Sequence, residues 1–154
     1  MSFYATSKGG RGPGSGDHLI SRQRIFLNRY TMSRVVHFEL PADDPERAIE
    51  FYRKVFGWDV QKWAGPVNYW LVSTGPRDQP GIDGGIVSRT DRLASGVLVT
   101  AQVDSVDACL RNINEAGGEI IVPKRPIPGV GYQAHFRDTK GNVIGIMESD
   151  PSAK

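Results

Sequence analysis

One cysteine stands in the 154 residues, so no disulfide can form within the chain. Cys109 sits beside Leu110 on the apolar side of a predicted helix, which reads as a buried, inert thiol rather than a nucleophile. No stretch approaches the roughly 18 consecutive apolar residues of a membrane span, and the early segment lacks the apolar centre of a secretory signal. The expectation is a soluble, cytoplasmic protein with no membrane partner. A glycine-rich phosphate loop joining a strand to a helix is also missing, which removes support for a nucleotide-binding fold. Basic excess is lacking too, once the chain is divided. The formal charge is +2, but residues 1–31 hold Lys8, Arg11, Arg22, Arg24 and Arg29 against Asp17 alone. Setting those aside leaves 14 bases and 16 acids in residues 32–154, a balance of −2. No stripe of Lys and Arg interleaved with aromatics remains, so no nucleic-acid partner is expected.

What the chain does have is a repeated pattern. In Val35 to Leu40 the side chains alternate, with Val36, Phe38 and Leu40 on one face and Val35, His37 and Glu39 on the other. Asp44 followed by Pro45 marks a helix start, because an Asp side chain accepts an orphan amide proton and proline suits the first helical position. The helix runs to Gly57, and Ala48, Ile49, Tyr52, Val55 and Phe56 form one apolar stripe for the Val36, Phe38 and Leu40 face. Shifted by 61 positions the pattern returns: His37 falls on Leu98, Asp43 on Asp104, Ile49 on Leu110, Tyr52 on Ile113 and Gly57 on Gly118. Two copies are too few for a solenoid, which needs about three, so the repeat describes two modules of one domain.

Between the repeats the elements keep one order. Strands are predicted at Asp59–Trp63, Val67–Ser73 and Gly85–Arg89, with a loop at Gly75–Gly84 and a linker at Thr90–Gly96. The second half gives strand Val97–Val103, helix Val106–Ala116, strand Glu119–Val122, a proline-rich loop Pro123–Gly131, and strands Tyr132–Arg137 and Asn142–Glu148. Each half is βαβββ, and helices set apart from mostly antiparallel strands mean an α+β fold. The domains are a disordered extension at 1–31 and a folded unit at 32–154, with modules at 32–94 and 95–150. Removing residues 1–31 is expected to leave folding intact.

His37 at the head of HFELPADDPERAIEFY, the FGW ending at Trp58, the AQVDSVD opening of the second module and FRDTKGN before the last strand together resemble the vicinal oxygen chelate superfamily. This is the group of glyoxalases, bleomycin-resistance proteins and extradiol dioxygenases, and the resemblance covers about residues 34–150. It implies two tandem βαβββ modules forming one cup-shaped, eight-stranded domain with the ligand site inside, and a homodimer. Enzymes of the superfamily hold one divalent metal on the first and last strands of each module. Here the four positions read His37, a Gly84-Gly85-Ile86-Val87 strand without a ligand, Leu98, and Gly145 where a Glu is expected.

One imidazole does not hold a divalent ion usefully. The expected function is therefore a glyoxalase-like, metal-independent protein that binds an apolar or aromatic small molecule and has no cofactor. His37 or Glu39 would serve as general base in any catalysis. Trp63, Tyr69, Trp70, Tyr132 and Met147 are the candidate ligand-binding residues, since such side chains offer broad apolar area. Glycines at Gly85 and Gly145 are expected to widen the cup floor, and His135 can point to either face. The alternative is a metal-dependent lyase, isomerase or dioxygenase with His37 and Glu148 around one divalent ion, which requires a bulge to re-aim Glu148.

Overall fold

The structure, a computed structural model, describes residues 32–89 and 95–154. The predicted extension at 1–31 and residues 90–94 of the predicted linker lie outside the described residues. Residues Ser33–Lys154 form one compact unit. Its elements are β1 (Val35–Ala42), α1 (Pro45–Phe56), β2 (Asp59–Lys62), β3 (Tyr69–Ser73), β4 (Asp83–Ser88), β5 (Leu98–Gln102), α2 (Val106–Glu115), β6 (Glu119–Ile127), β7 (Gly131–Arg137) and β8 (Val143–Ser149).

The eight strands make one sheet in the order β2-β3-β4-β1-β5-β8-β7-β6. The order within the first module is mirrored in the second, as a duplicated βαβββ unit requires. Each module closes its first strand onto its last in parallel, β1 on β4 and β5 on β8, and the modules meet where β1 and β5 pair antiparallel. The result is an α+β cup with both helices on one face of the sheet.

Local chemistry sets the helix ends. Asp44 caps α1 by accepting from the Arg47 amide at 3.0 Å, and Ser105 caps α2 by accepting from Ala108 at 3.2 Å. Gly57 ends α1 in the left-handed conformation. In the second module the left-handed residue is Gly117, one before the predicted stop at Gly118. Ile49 of α1 packs onto Val60, Trp70, Val72 and Ile86 of the sheet, and Val106 and Ile113 of α2 onto Ala134 and Ile146.

Two expectations need correction. Val55 and Phe56, assigned to the buried stripe of α1, are 50% and 59% exposed. Ala48, Ile49 and Tyr52 make the contact with the sheet, and Phe56 instead stacks along Tyr52 and Trp58 at the helix end. The proline-rich segment is also largely strand, because β6 runs through Pro123 and Pro126 to Ile127. As the outermost of the described strands it has one edge without a neighbour among them, where a missing N–H leaves nothing unpaired. Register shifts between Ile120 and Val122 and between Val122 and Arg125 absorb the irregularity.

Candidate functional site

Strand parity divides the expected site residues between the two faces. His37 and Glu39 face the cup, away from the helix-side Phe38 and Leu40. The cross-strand register continues their face through His37, Thr100, Gly145 and His135 on β1, β5, β8 and β7. Tyr69 and Met147 belong to this face, and Trp63, just beyond β2, lies edge-on to Tyr69 with ring centroids 6.4 Å apart. Trp70 and Tyr132 do not. Trp70 is in the core beneath α1 at 8% exposure, and Tyr132 packs with the α2 cluster under the Lys124 ammonium, 4.4 Å from its ring centre. Glu148 is also on the helix side: its Oε2 accepts the Val106 amide at 2.9 Å and lies 3.5 Å from Lys124 Nζ. No bulge re-aims it, since β8 pairs with β5 and β7 in unbroken register. His37 and Glu148 are thus on opposite faces of the sheet and cannot share an ion.

Tyr69 ties the first module's polar groups together. His37 Nε2 lies 2.6 Å from the Tyr69 hydroxyl, and the same hydroxyl is bonded to the Glu39 carboxylate. Burial lowers the His37 pKa and leaves the imidazole neutral, against an opposing pull from Asp83. Burial, with the Glu39 charge and hydrogen bond, raises the Tyr69 pKa and keeps the phenol protonated. The Glu39 pKa is raised by its own burial, more than its bond to Tyr69 and the Arg125 charge lower it. The consistent proton arrangement is His37 Nε2–H donating to the phenol oxygen and the phenol donating to Glu39, a tautomer assigned from the network.

The glycines at Gly85 and Gly145 do not widen the floor. A Cβ at Gly85 would lie 2.0 Å from the Tyr69 oxygen, and one at Gly145 would lie 2.5 Å from Thr100 Oγ1. The space that longer side chains would use there is filled by Tyr69 and Thr100. With Leu98 at the third position, the residues of these four strand sites do not fit a divalent ion. Among the described residues, no group of three or more His, Cys, Asp or Glu is placed to hold one.

The second module contributes Thr100 and Gln133, which the sequence did not single out, and places His135, open to either face in the sequence, on the cup face. Thr100 and His135 are each 2% exposed, and among the described residues Thr100 Oγ1 and His135 Nδ1 have no hydrogen-bond partner. Gln133, on the same strand as His135, is buried and accepts from the Arg125 guanidinium at 3.4 Å across the β6–β7 ladder. Thr100 was legible in principle, since it stands 61 positions after Glu39, the spacing of the duplication.

Two outcomes follow from these buried groups. Thr100→Val keeps the branched shape and removes an unpaired hydroxyl, so it is expected to stabilise the free protein by about 1 kcal/mol, read by urea unfolding. A loss of stability would mean that the hydroxyl is bonded in solution. Burial, with the Arg125 charge adding, pushes His135 down to about 4 from 6.5. The unfolded chain then binds the proton first as pH falls. The stability associated with neutral His135 is present above pH 6.5 and lost through pH 4, by roughly 3 kcal/mol at most. Unfolding measured between those limits is expected to flatten in His135→Gln; an unchanged slope would remove His135 as its source.

Comparison with known proteins follows the same lines. The family model described as Glyoxalase/Bleomycin resistance protein/Dioxygenase superfamily matches residues 34–146. A glyoxylase-like domain-containing protein of Didymella fabae is 33% identical over 114 residues, covering 70% of this chain and 88% of that protein. A putative glyoxylase, CFP32, of Mycobacterium bovis is 27% identical over 115 residues, and the match covers 73% of this chain but only 43% of that protein's length. Among solved structures, methylmalonyl-CoA epimerase from Mycobacterium tuberculosis superposes with a TM-score of 0.61 at 15% identity, covering 80% of this chain and 96% of that one. A superfamily member from Vibrio splendidus gives 0.57 at 19% identity, covering 77% and 100%. At these identities the structural matches speak for the fold alone.

Proposed function

This chain belongs to the glyoxalase/bleomycin resistance protein/dioxygenase superfamily, and we propose that it is a metal-independent member that binds an apolar or aromatic small molecule in its cup. One observation carries this reading: Tyr69 lies over Gly85 and engages His37, the single metal-type donor at the four strand positions. The nitrogen that would face an ion is already committed to a phenol. Around that bond, Trp63, Tyr69, Leu71 and Met147 offer aromatic and aliphatic surface on the cup face.

Any proton transfer in the cup falls to Glu39. Its burial moves the carboxyl toward the neutral range where a general base is effective, and Tyr69 and His37 orient it. Assembly as a homodimer is part of the same proposal and is checked by light scattering. Among the described residues no helix is long and apolar enough to cross a membrane.

The test is thermal unfolding against a panel of small aromatic compounds, with and without a chelator. A ligand at a hundredfold excess over its Kd stabilises by about 2.7 kcal/mol, a shift of several degrees for a domain of this size. The expected result is a shift that the chelator leaves unchanged. A shift that requires added divalent ions would overturn the proposal.

A further inference from the structure

The polar groups of the cup are not evenly placed. Glu39, bonded to Tyr69, gives the first module's side a carboxylate, and the aromatic Trp63 and Tyr69 stand with it. The second module's side has no carboxylate in the cross-strand row, but it has Thr100 and His135, whose unpaired atoms are the kind that a native fold seldom leaves unexplained. The two side chains adjoin: measured from the point where a Gly145 Cβ would stand, Thr100 Oγ1 is 2.5 Å away and His135 Cδ2 3.4 Å. On β6, Arg125 is in register with Gln133 and therefore on the same cup face. Among the described residues it has no carboxylate within ion-pair distance, whereas Lys124 on the other face is paired with Asp107 and Glu148. Its charge reaches both Glu39 and His135.

Resting on the small-molecule reading above, we infer that the cup's ligand is an organic carboxylate, with its head on Thr100, His135 and Arg125 and its apolar body toward Trp63 and Tyr69. A carboxylate accepts from all three donors: the threonine hydroxyl, a ring N–H of neutral His135 and the guanidinium fork. Glu39 sets the orientation, because it repels an anionic head from the first module's side. The single charge of a carboxylate also suits a site with one guanidinium better than a dianion does. Both unpaired atoms lie beneath the surface of the free protein, so binding draws side chains off them. The hydrogen bonds gained offset that opening.

Matched acid and amide pairs test this directly: benzoate with benzamide, phenylacetate with phenylacetamide, and octanoate with octanamide. Binding to the full chain is measured by calorimetry for the native protein, Arg125→Gln and Thr100→Val. Arg125 is exposed, so its substitution is expected to leave the melting curve in place. The expected result is an acid that binds tighter than its amide by on the order of tenfold or more, with the preference lost in Arg125→Gln and the acid weakened in Thr100→Val. Amides that bind as well as acids would overturn the carboxylate and leave the cup a neutral-ligand site, and a preference for the acid that survives Arg125→Gln would overturn the placing of its head on Arg125. Silence from these pairs and from the neutral aromatic panel would overturn both readings.

Discussion

Trp70→Ala is expected to lower the unfolding free energy by about 3–5 kcal/mol, whereas Trp63→Ala is expected to change it by less than about 1 kcal/mol. The two tryptophans look alike in the sequence, each in a predicted strand of the first module. Their surroundings differ. Trp70 is buried beneath α1 among Ile49, Val60, Val72 and Ile86, so truncation leaves a cavity that the packed neighbours fill only in part. Trp63 is 37% exposed, folds over Gly65 and meets Tyr69 edge-on, so its loss removes less burial and opens to solvent instead of leaving an enclosed cavity. Urea unfolding of both variants measures the difference. Equal losses, or a larger one for Trp63, would contradict the division of the first module's strands into a helix face and a cup face. The small-molecule reading adds a second contrast: Trp63→Ala is expected to weaken ligand binding without changing the fold.

Gly131→Ala is expected to destabilise by about 2–4 kcal/mol, although it adds a single methyl group. Gly131 opens β7 with φ at 156°, and a Cβ there would lie 2.0 Å from the Glu148 carbonyl oxygen and 2.9 Å from the Asp150 amide nitrogen. Both are backbone atoms of the adjoining chain, so relief requires the ladder between β7 and β8 to part. Gly57 makes the control. It is also left-handed, but nothing lies within 4 Å of its Cβ position, so Gly57→Ala is expected to lose only about 1 kcal/mol. Denaturant midpoints for the two variants give the comparison, and similar losses would show that conformation alone sets the penalty. Because β7 carries His135 and β8 carries Gly145 and Met147, parting that ladder would also disturb the second module's side of the cup.

The duplication made the fold legible. Helix starts and strand alternation recur at a fixed spacing, and one sheet order accommodates two such modules. The site was legible where strand parity alone decided. His37 and Glu39 fall on the cup face because Phe38 and Leu40 must meet a helix. The same rule applied to β3 would have separated Tyr69 from Trp70, since consecutive strand residues cannot share a face; aromatic content drew both into the site. Tyr132 went astray for the same reason, next to a cup-facing Gln133. Arg125 was harder to place, because its face depends on a bulged edge strand that two prolines disguised as a loop, and the face of His135 follows from the pairing of β7 with β8. What filled the glycine positions was not legible at all, because Tyr69 over Gly85 and Thr100 over Gly145 are contacts between different strands.

The most direct measurement is elemental analysis of the full chain purified without chelators, beside a His37→Ala variant. The proposed function requires that neither protein carries stoichiometric transition or alkaline-earth metal, and that His37→Ala changes ligand binding without changing metal content. About one ion per chain in the native protein, lost in His37→Ala, would contradict it: Tyr69 would then have to swing off His37, and the cup would be an oxygen-chelating metal site after all.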